Sequence, residues 1–196
     1  MFELRCQDGQ NTEGEVMRRT QLLLLLLATG CYRVSFDVEG DRAYMNGTIN
    51  TGTPAQVEAL LAEHPGLAVI ELEVVPGSVD DEACLEAGRM VREHGLSTYL
   101  AADGEIASGG VDFFLAGIDR TVEDGGLVGV HSWSQLGGPN GEDLPRDDPE
   151  HQPYLDYLSE MGVTEDFYWF TLEAAPASDI HWMSRDELVA YEVLTP

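Results

Sequence analysis

The 196-residue sequence contains no lysine, so all ten of its basic residues are arginines. Without lysine, a Ser–Lys dyad, a Schiff base and a P-loop lysine are excluded. The chain has 36 acidic residues and a formal net charge of -26 at pH 7. Nucleic acids and anionic lipid surfaces need a cationic partner, so this charge argues against both. An acidic coat suits a salty environment, and a lineage-wide compositional bias would explain it equally well.

The chain also has few cysteines and no apolar run of membrane-spanning length. Its apolar run Leu22–Ala28 has seven residues, whereas a bilayer-spanning helix needs about 20. Arg18 and Arg19 precede this run, and small residues follow it up to Cys31. That order is typical of an export signal. It resembles the bacterial lipoprotein signal, in which the cysteine becomes the lipidated N-terminus, although Ala28 stands where leucine is usual.

We therefore expect residues 1–31 to be an N-terminal extension and a lipoprotein-type signal, with translation starting at Met17. The protein would then be lipid-anchored to the bacterial membrane on its periplasmic or extracellular side. Alternatives are an ordinary cleaved signal with secretion, and a cytosolic chain. Residues 32–196 are long enough for one domain with a core. Their only cysteine is Cys84, which we expect in that core without a disulfide.

Strand and helix patterns alternate along residues 32–196. Strands are predicted at 32–40, 42–50, 67–75, 96–101 and 126–133. Helices are predicted at 53–66, 78–95, 107–117, 151–162, 165–175 and 184–192, and residues 136–149 are expected to be a polar loop. This alternation predicts a single-domain α/β fold with parallel strands flanked by helices.

The small residues Ala107–Gly110 directly precede an apolar helical segment and place Ser108 at its start. Nucleophilic acyl transfer needs an exposed serine, an adjacent base, a group that orients the base, and N–H groups for the oxyanion. The first N–H groups of a helix are free, and Gly109 and Gly110 leave room for a substrate carbonyl. The alternative is that Ser108 is an N-cap, a common role of serine.

Further candidates lie at predicted strand ends. His131 comes near the end of an apolar strand, 23 residues after Ser108. Residues 76–78 (Pro-Gly-Ser) form a strand-to-helix turn, which can aim a backbone N–H at an oxyanion. Asp179 stands shortly before the last predicted helix. Active sites of α/β proteins gather at strand ends, so these residues are candidates for one site.

Four segments together resemble the Clp-protease/crotonase superfamily. They are "PGS" before a helix, "ASGG" before a helix, "GVH" before a Gly-rich loop, and the "D…MS..EL..Y" tail, spanning about residues 67–195. The resemblance is greatest to secreted, lipoprotein-type relatives of the Clp proteolytic subunit. It implies a Clp-protease/crotonase-like fold, a serine hydrolase that cleaves peptides or esters, and assembly into an oligomer. It also implies a catalytic set of Ser108, His131 and Asp179, with oxyanion N–H groups from Gly77 and Gly109.

The sequence departs from the family pattern at several points. Pro76 replaces a usual glycine, and residues 136–175 are unlike the Clp peptidase. "ASGG" itself is closer to signal-peptide peptidases, which use serine and lysine. Because lysine is absent, His131 is the expected base.

Other residues compete for the remaining roles. Asp147 and Asp148 are rivals for the acid, and His181 is a rival for a catalytic or orienting role. We expect no cofactor and no metal, since neither H-x-x-x-H, H-E-x-x-H nor paired cysteines occur. Two other functions stay open: a catalytically inactive envelope lipoprotein that binds a partner in the same cleft, and a crotonase-type acyl-CoA enzyme.

Overall fold

The structure is a computed structural model that describes residues 33–135 and 137–196. Met17 and Cys31 lie outside the described residues, so the translation start and the lipid anchor remain predictions. Among the described residues, no helix combines the length and apolar character needed to cross a bilayer.

Among these described residues, seven strands form one mixed sheet. They are β1 (Ser35–Glu39), β2 (Arg42–Asn46), β3 (Val69–Val75), β4 (Ser97–Ala107), β5 (Arg120–Val122), β6 (Leu127–Val130) and β7 (His181–Trp182). Their order is β1-β2-β3-β4-β6-β7, with β5 also paired to β4. The strands β2, β3, β4, β5 and β6 pair in parallel, and β1 and β7 are antiparallel to their neighbours.

In the described part of the chain, six α-helices accompany the sheet. They are α1 (Thr53–Glu63), α2 (Asp81–Glu93), α3 (Gly109–Leu115), α4 (Gln152–Glu160), α5 (Glu165–Ala174) and α6 (Arg185–Ala190). The predicted polar loop contains a short 3-10 helix at Gly141–Asp143, and a second one, Pro149–His151, leads into α4. The predicted α/β class is confirmed, with the alternation of strands and helices that the sequence pattern indicates.

Strand β4 differs most from its sequence prediction. The predicted strand 96–101 continues to Ala107, and the predicted helix 107–117 begins only at Gly109. Its register against β3 shifts from Leu72↔Leu100 to Val74↔Glu105. Extra residues of β4 therefore bulge at residues 101–104 (Ala-Ala-Asp-Gly), where the Asp-Gly pair is typical of a turn. The first part of β4 pairs with β5 and the last part with β6.

The apolar core lies between the sheet and its helices. In α2, Asp80 caps the first turn by accepting the N–H of Ala83 at 3.1 Å, and a stripe of small and apolar side chains is buried. Cys84 belongs to this stripe and is 1% exposed, which confirms the predicted core position. From the aromatic cluster of α5, Phe167 and Tyr168 also enter the core.

The parallel arrangement places three connections at one edge of the sheet. Strand β3 ends at Val75, β4 at Ala107 and β6 at Val130. The turn at Gly77, Ser108 and His131 therefore follow the carboxyl ends of neighbouring strands, where sites of α/β proteins form.

Candidate active site

Ser108 links β4 to α3 in a strained backbone conformation. Its φ is 52° and its ψ is -130°, a region that non-glycine residues enter at a cost of about 1–3 kcal/mol. Its N–H donates to the Gly129 carbonyl at 3.1 Å, and its own carbonyl accepts the Val111 N–H at 2.7 Å. These bonds hold the backbone in place from both sides.

The side chain of Ser108 does not cap the helix that it precedes. Among the described residues, its Oγ has no hydrogen-bond partner, and the residue is half-buried. Ser108 thus occupies the N-cap position of α3, but its hydroxyl does not accept the hydrogen bond from a first-turn N–H that accounts for most N-cap serines. The capping alternative therefore does not account for this residue.

The turn before α2 lies directly against Ser108. A Cβ built on Gly77 would lie 3.1 Å from the Ser108 Cβ and 3.5 Å from its Oγ, and Gly77 has a φ of 142°. A Cβ on Gly109 would lie 2.6 Å from the Ser78 Cβ. Side chains at these two positions would crowd the serine or the turn.

The structure thus brings Gly77, Ser108 and Gly109 together, as predicted from the sequence. Within residues 33–135 and 137–196, the backbone N–H groups of Gly77 and Gly109 have no acceptor. Two unpaired N–H groups beside a serine are the donors that an oxyanion requires.

Ser108 and His131 line the same small cavity, whose volume is about 40 Å³. This is room for a small polar group or a few waters. The other lining residues are Asp81, Val111, Asp112, Val130, Trp133, Tyr154, Phe167, Tyr168 and Thr171. The last four come from α4 and α5, so the part of the chain that departs from the Clp peptidase pattern supplies one wall of the cavity.

The imidazole of His131 is held by a backbone carbonyl. Its Nδ1 lies 2.7 Å from the Ser132 oxygen. A carbonyl oxygen only accepts, so this bond assigns the proton to Nδ1 and leaves the Nε2 lone pair free to act as a base. No hydrogen bond joins His131 to Ser108 in the described part of the chain.

The structure does not bring Asp179 to His131. Asp179 is exposed in a turn, where its N–H donates to the Pro176 carbonyl and its Oδ1 accepts the Ile180 N–H at 2.9 Å. The Nδ1 atom that a triad acid would contact is taken by the Ser132 carbonyl. The orienting role predicted for Asp179 therefore has no supporting contact.

The rivals named from the sequence also lie away from the cavity lining. Asp148 accepts the N–H of Glu150 at 3.0 Å as a helix cap, and Asp147 is exposed. His181 pairs with Glu187, with 3.0 Å between Nε2 and Oε1, and packs edge-on against Phe170. Within the described residues, no group of three or more metal-ligating side chains is placed to hold a metal.

Two carboxyl groups of the cavity were not predicted from the sequence. Asp81 accepts hydrogen bonds from the Ser78 hydroxyl and, at 2.7 Å, from the Tyr154 hydroxyl. Asp112 lies one helical turn after Ser108 on α3. Burial, followed by repulsion from Asp81, raises the pKa of Asp112 to about 7. The signal that was available is that Asp112 is the one charged residue in the apolar helix pattern of 107–117.

Aromatic rings form one wall of the cavity. Trp133 stacks on Tyr154 and Tyr154 on Tyr168, with centroids 5.7 Å apart in both pairs. The Trp133 Nε1 donates to the Tyr168 hydroxyl at 2.8 Å, and the buried His151 contacts the same hydroxyl through Nδ1 at 2.7 Å. The polar atoms of Trp133, Tyr168 and His151 are therefore paired with one another, whereas the Tyr154 hydroxyl donates to Asp81.

Comparison with solved structures gives the fold. The 1510-N membrane-bound stomatin-specific protease matches with a TM-score of 0.51 and 15% identity, over 78% of this chain and 75% of that one. An enoyl-CoA hydratase from Mycobacterium avium subsp. paratuberculosis K-10 matches with a TM-score of 0.50 and 14% identity, over 86% and 72%. An enoyl-CoA hydratase/carnitine racemase from Magnetospirillum magneticum matches with a TM-score of 0.50 and 16% identity, over 87% and 69%.

No protein-family model matches the chain, and no curated protein is similar to it by sequence. The structural neighbours include a protease and enoyl-CoA hydratases. They confirm the predicted Clp-protease/crotonase-like fold. One fold hosts different chemistries, so function must be argued from the site.

Proposed function

We propose that the protein is a serine hydrolase that cleaves a peptide or ester bond, with Ser108 as its nucleophile. The observation that carries the proposal is the strained, non-capping Ser108, set against the turn at Gly77 in a cavity shared with His131. A strained residue persists only where its surroundings hold it, and such residues concentrate at functional sites. The protease among the structural neighbours is in keeping with this proposal.

In this mechanism, Ser108 Oγ attacks the substrate carbonyl carbon while His131 Nε2 takes the hydroxyl proton. The carbonyl oxygen becomes an oxyanion, and the N–H groups of Gly77 and Gly109 stabilise it. The C–N or C–O bond then breaks, and His131 returns the proton to the leaving group. Water hydrolyses the acyl-serine by the reverse proton path, which restores Ser108.

The Ser132 carbonyl takes the orienting position that a carboxylate fills in a Ser-His-Asp triad. It fixes the ring and its tautomer, but it carries no full charge to stabilise the imidazolium. We therefore propose a Ser–His dyad, which is expected to be slower than a complete triad. The lipid anchor at Cys31 and the envelope location remain proposals that rest on the sequence.

A partner-binding protein without catalysis is the second candidate. It is favoured by the missing hydrogen bond between Ser108 and His131 and by the position of Asp179 outside the cavity lining. An acyl-CoA enzyme is disfavoured by charge. The cavity lining includes Asp81 and Asp112 and no arginine, whereas the phosphates of CoA need cationic groups.

The test is labelling of the purified full-length chain with a fluorophosphonate, which reacts with activated serines. We expect labelling of the wild type, none of Ser108→Ala, and about 100-fold slower labelling of His131→Ala because the general base is lost. Ser159→Ala, which removes an exposed serine of α4, serves as the matched control and should label normally. A folded wild type that stays unlabelled over a range of salt concentrations would favour the partner-binding protein.

A further inference from the structure

Asp112 has an unpaired carboxyl group in the cavity beside Ser108. Its backbone carbonyl accepts the Tyr157 hydroxyl at 2.7 Å, but no described residue donates a hydrogen bond to its carboxyl oxygens. Asp81, the other carboxylate of the cavity, already accepts from Ser78 and Tyr154. The two acids therefore differ. Asp81 links the turn to the aromatic wall through its hydrogen bonds, whereas the carboxyl oxygens of Asp112 accept no hydrogen bond from a described residue.

The carboxyl oxygens of Asp112 open into the cavity. Among the described residues, Gln56 Oε1 is the one fully buried side-chain oxygen without a hydrogen-bond partner. The unpaired oxygens of the half-buried Asp112 are therefore not sealed in the protein, and their access is through the cavity that Asp112 lines. A half-buried carboxylate without protein donors is only partly solvated, which is costly for the folded protein. A bound cation would remove most of that cost.

Within the described residues, no lysine or arginine side chain lines this cavity. The chain has no lysine at all. His131 lines the same cavity, but its Nδ1 is held by the Ser132 carbonyl, and no ion pair joins it to Asp112. A positive charge beside Asp112 would therefore be supplied by a ligand.

Resting on the proposed function, we propose that this cavity binds a cationic group of the substrate, and that Asp112 is the residue that selects it. The cavity of about 40 Å³ fits a compact ammonium head rather than a bulky one. The rings of Tyr154 and Tyr168 line the same space and would contact the carbon chain behind the cation. The substrate class is then a peptide or ester whose amine-bearing side chain lies beside the bond that Ser108 attacks.

The first measurement is calorimetric titration of the full-length chain with n-butylammonium chloride, and with n-butanol as a neutral probe of the same shape. It is done in 0.5 M NaCl, which screens the overall negative charge. At pH 8 we expect n-butylammonium to bind at least tenfold more tightly than n-butanol. Asp112→Asn should remove this preference.

Asp37→Asn is the matched control, because it removes the same charge from an exposed position of β1 outside the cavity lining. It should leave the preference intact. Equal affinity of both probes for the wild type would overturn the proposal, as would an equal loss in Asp37→Asn and Asp112→Asn.

A second measurement does not depend on the folding of Asp112→Asn. Affinity of the wild type for n-butylammonium should rise between pH 5.5 and pH 8, since Asp112 ionises in that range while the amine stays protonated. The other titratable groups lining the cavity or packed against Asp112 are Asp81, Cys84, His131, Tyr154, Tyr157 and Tyr168. Burial raises the pKa of the thiol and of the three phenols, so these stay neutral.

Imidazoles also titrate between pH 5 and pH 8, so the pH series is repeated with His131→Ala. The rise should persist there, and a rise that vanishes in His131→Ala would overturn the role of Asp112. The labelling and binding experiments together distinguish failure of this proposal from failure of the proposed function. Fluorophosphonate labelling without cation preference leaves a hydrolase of another specificity, and cation binding without labelling leaves a cation-binding protein without an active serine.

Discussion

At the scale of single residues, Ser108 holds a conformation that glycine would adopt with less strain. A φ of 52° costs a serine about 1–3 kcal/mol, whereas glycine reaches such angles freely. The chain nevertheless has serine between Ala107 and Gly109, where a glycine would make the turn at lower cost. The proposed nucleophile accounts for the exception, because glycine lacks the hydroxyl that attacks the substrate carbonyl in the proposed mechanism.

Replacing this serine with glycine should therefore stabilise the protein while it abolishes labelling. Relief of strain exceeds the added freedom of the unfolded chain, for a net gain of roughly 1 kcal/mol in the free energy of unfolding. For a protein of this size, that gain raises the melting temperature by about 2–4 °C. Thermal unfolding of Ser108→Gly beside the wild type measures it.

The same substitution at Ser159 provides the contrast. Ser159 lies within α4, where glycine is unfavourable, so Ser159→Gly should lower stability. If Ser108→Gly proved no more stable than the wild type, the backbone of Ser108 would not be strained. The main observation behind the proposed function would then be contradicted.

Individual residues also show what the sequence could and could not predict. Gly77, Ser108 and Gly109 were predictable because each belongs to a local strand-to-helix turn, and parallel strands bring such turns together. Asp179 was placed by its distance from the last helix, but the direction in which a loop side chain points is set by tertiary contacts. Asp112 went unnoticed because the apolar pattern around it indicated only a buried helix.

At the scale of elements, Arg120 of β5 donates hydrogen bonds to backbone carbonyls at the ends of several helices. Its guanidinium donates to the Leu115 and Gly117 carbonyls at the end of α3, at 3.4 and 3.3 Å. It also donates to Met161 after α4, at 3.2 Å, and to Glu192 and Val193 after α6, at 3.0 and 2.9 Å. Arg92 also donates to the Gly117 and Met161 carbonyls, so the carbonyls that depend on Arg120 are those of Leu115, Glu192 and Val193.

Arg120→Met should consequently lower the free energy of unfolding by roughly 3–5 kcal/mol, because the carbonyls of Leu115, Glu192 and Val193 lose their guanidinium donor at once. Arg120→Lys should recover only part of the loss, since an ammonium has three donors and lacks the planar fork of guanidinium. Urea denaturation of both variants measures these changes.

Arg146→Met serves as the control for loss of an arginine. Arg146 pairs with Glu173 at 2.9 Å, and its side chain is 64% exposed, so the change should cost less than about 1 kcal/mol. An equally small effect at both arginines would show that Arg120 does not organise the helix ends.

Elements were easier to predict than their connections. The helices α1 and α2 match the predicted segments because stop and start signals flank them, such as Pro54 and the Asp80 cap. The strands β5 and β7 have only three and two residues, too few for a periodic pattern. The prediction ended β4 too early because the sequence of its bulge at 101–104 is typical of a turn. The neighbouring strands nevertheless keep both parts of β4 in the sheet.

At the scale of the whole molecule, charge of one sign dominates. The chain has 36 acidic residues against ten arginines. In the described part, three Arg–carboxylate pairs form, at Arg42–Glu71, Arg89–Glu160 and Arg146–Glu173. Most carboxylates therefore repel one another across the surface, and folding concentrates that repulsion.

Salt should accordingly stabilise this protein. The Debye length falls from about 10 Å at 0.1 M salt to 3 Å at 1 M, which screens repulsion between surface carboxylates more than it weakens the few ion pairs. We expect the urea midpoint at pH 7.5 to rise steadily from 0.05 to 1 M NaCl. Urea is used because it is uncharged and leaves the ionic strength unchanged.

A variant with less surface charge separates screening from a general salting effect. Asp37→Asn, Glu39→Gln, Glu58→Gln and Glu63→Gln together remove four exposed charges. The combined variant should be more stable than the wild type at 0.05 M NaCl, and its midpoint should rise less with salt. A wild type whose stability falls with salt would show that its ion pairs outweigh the repulsion. If the urea midpoints of both proteins rose equally with NaCl concentration, the effect would arise from the action of salt on apolar surface and not from charge.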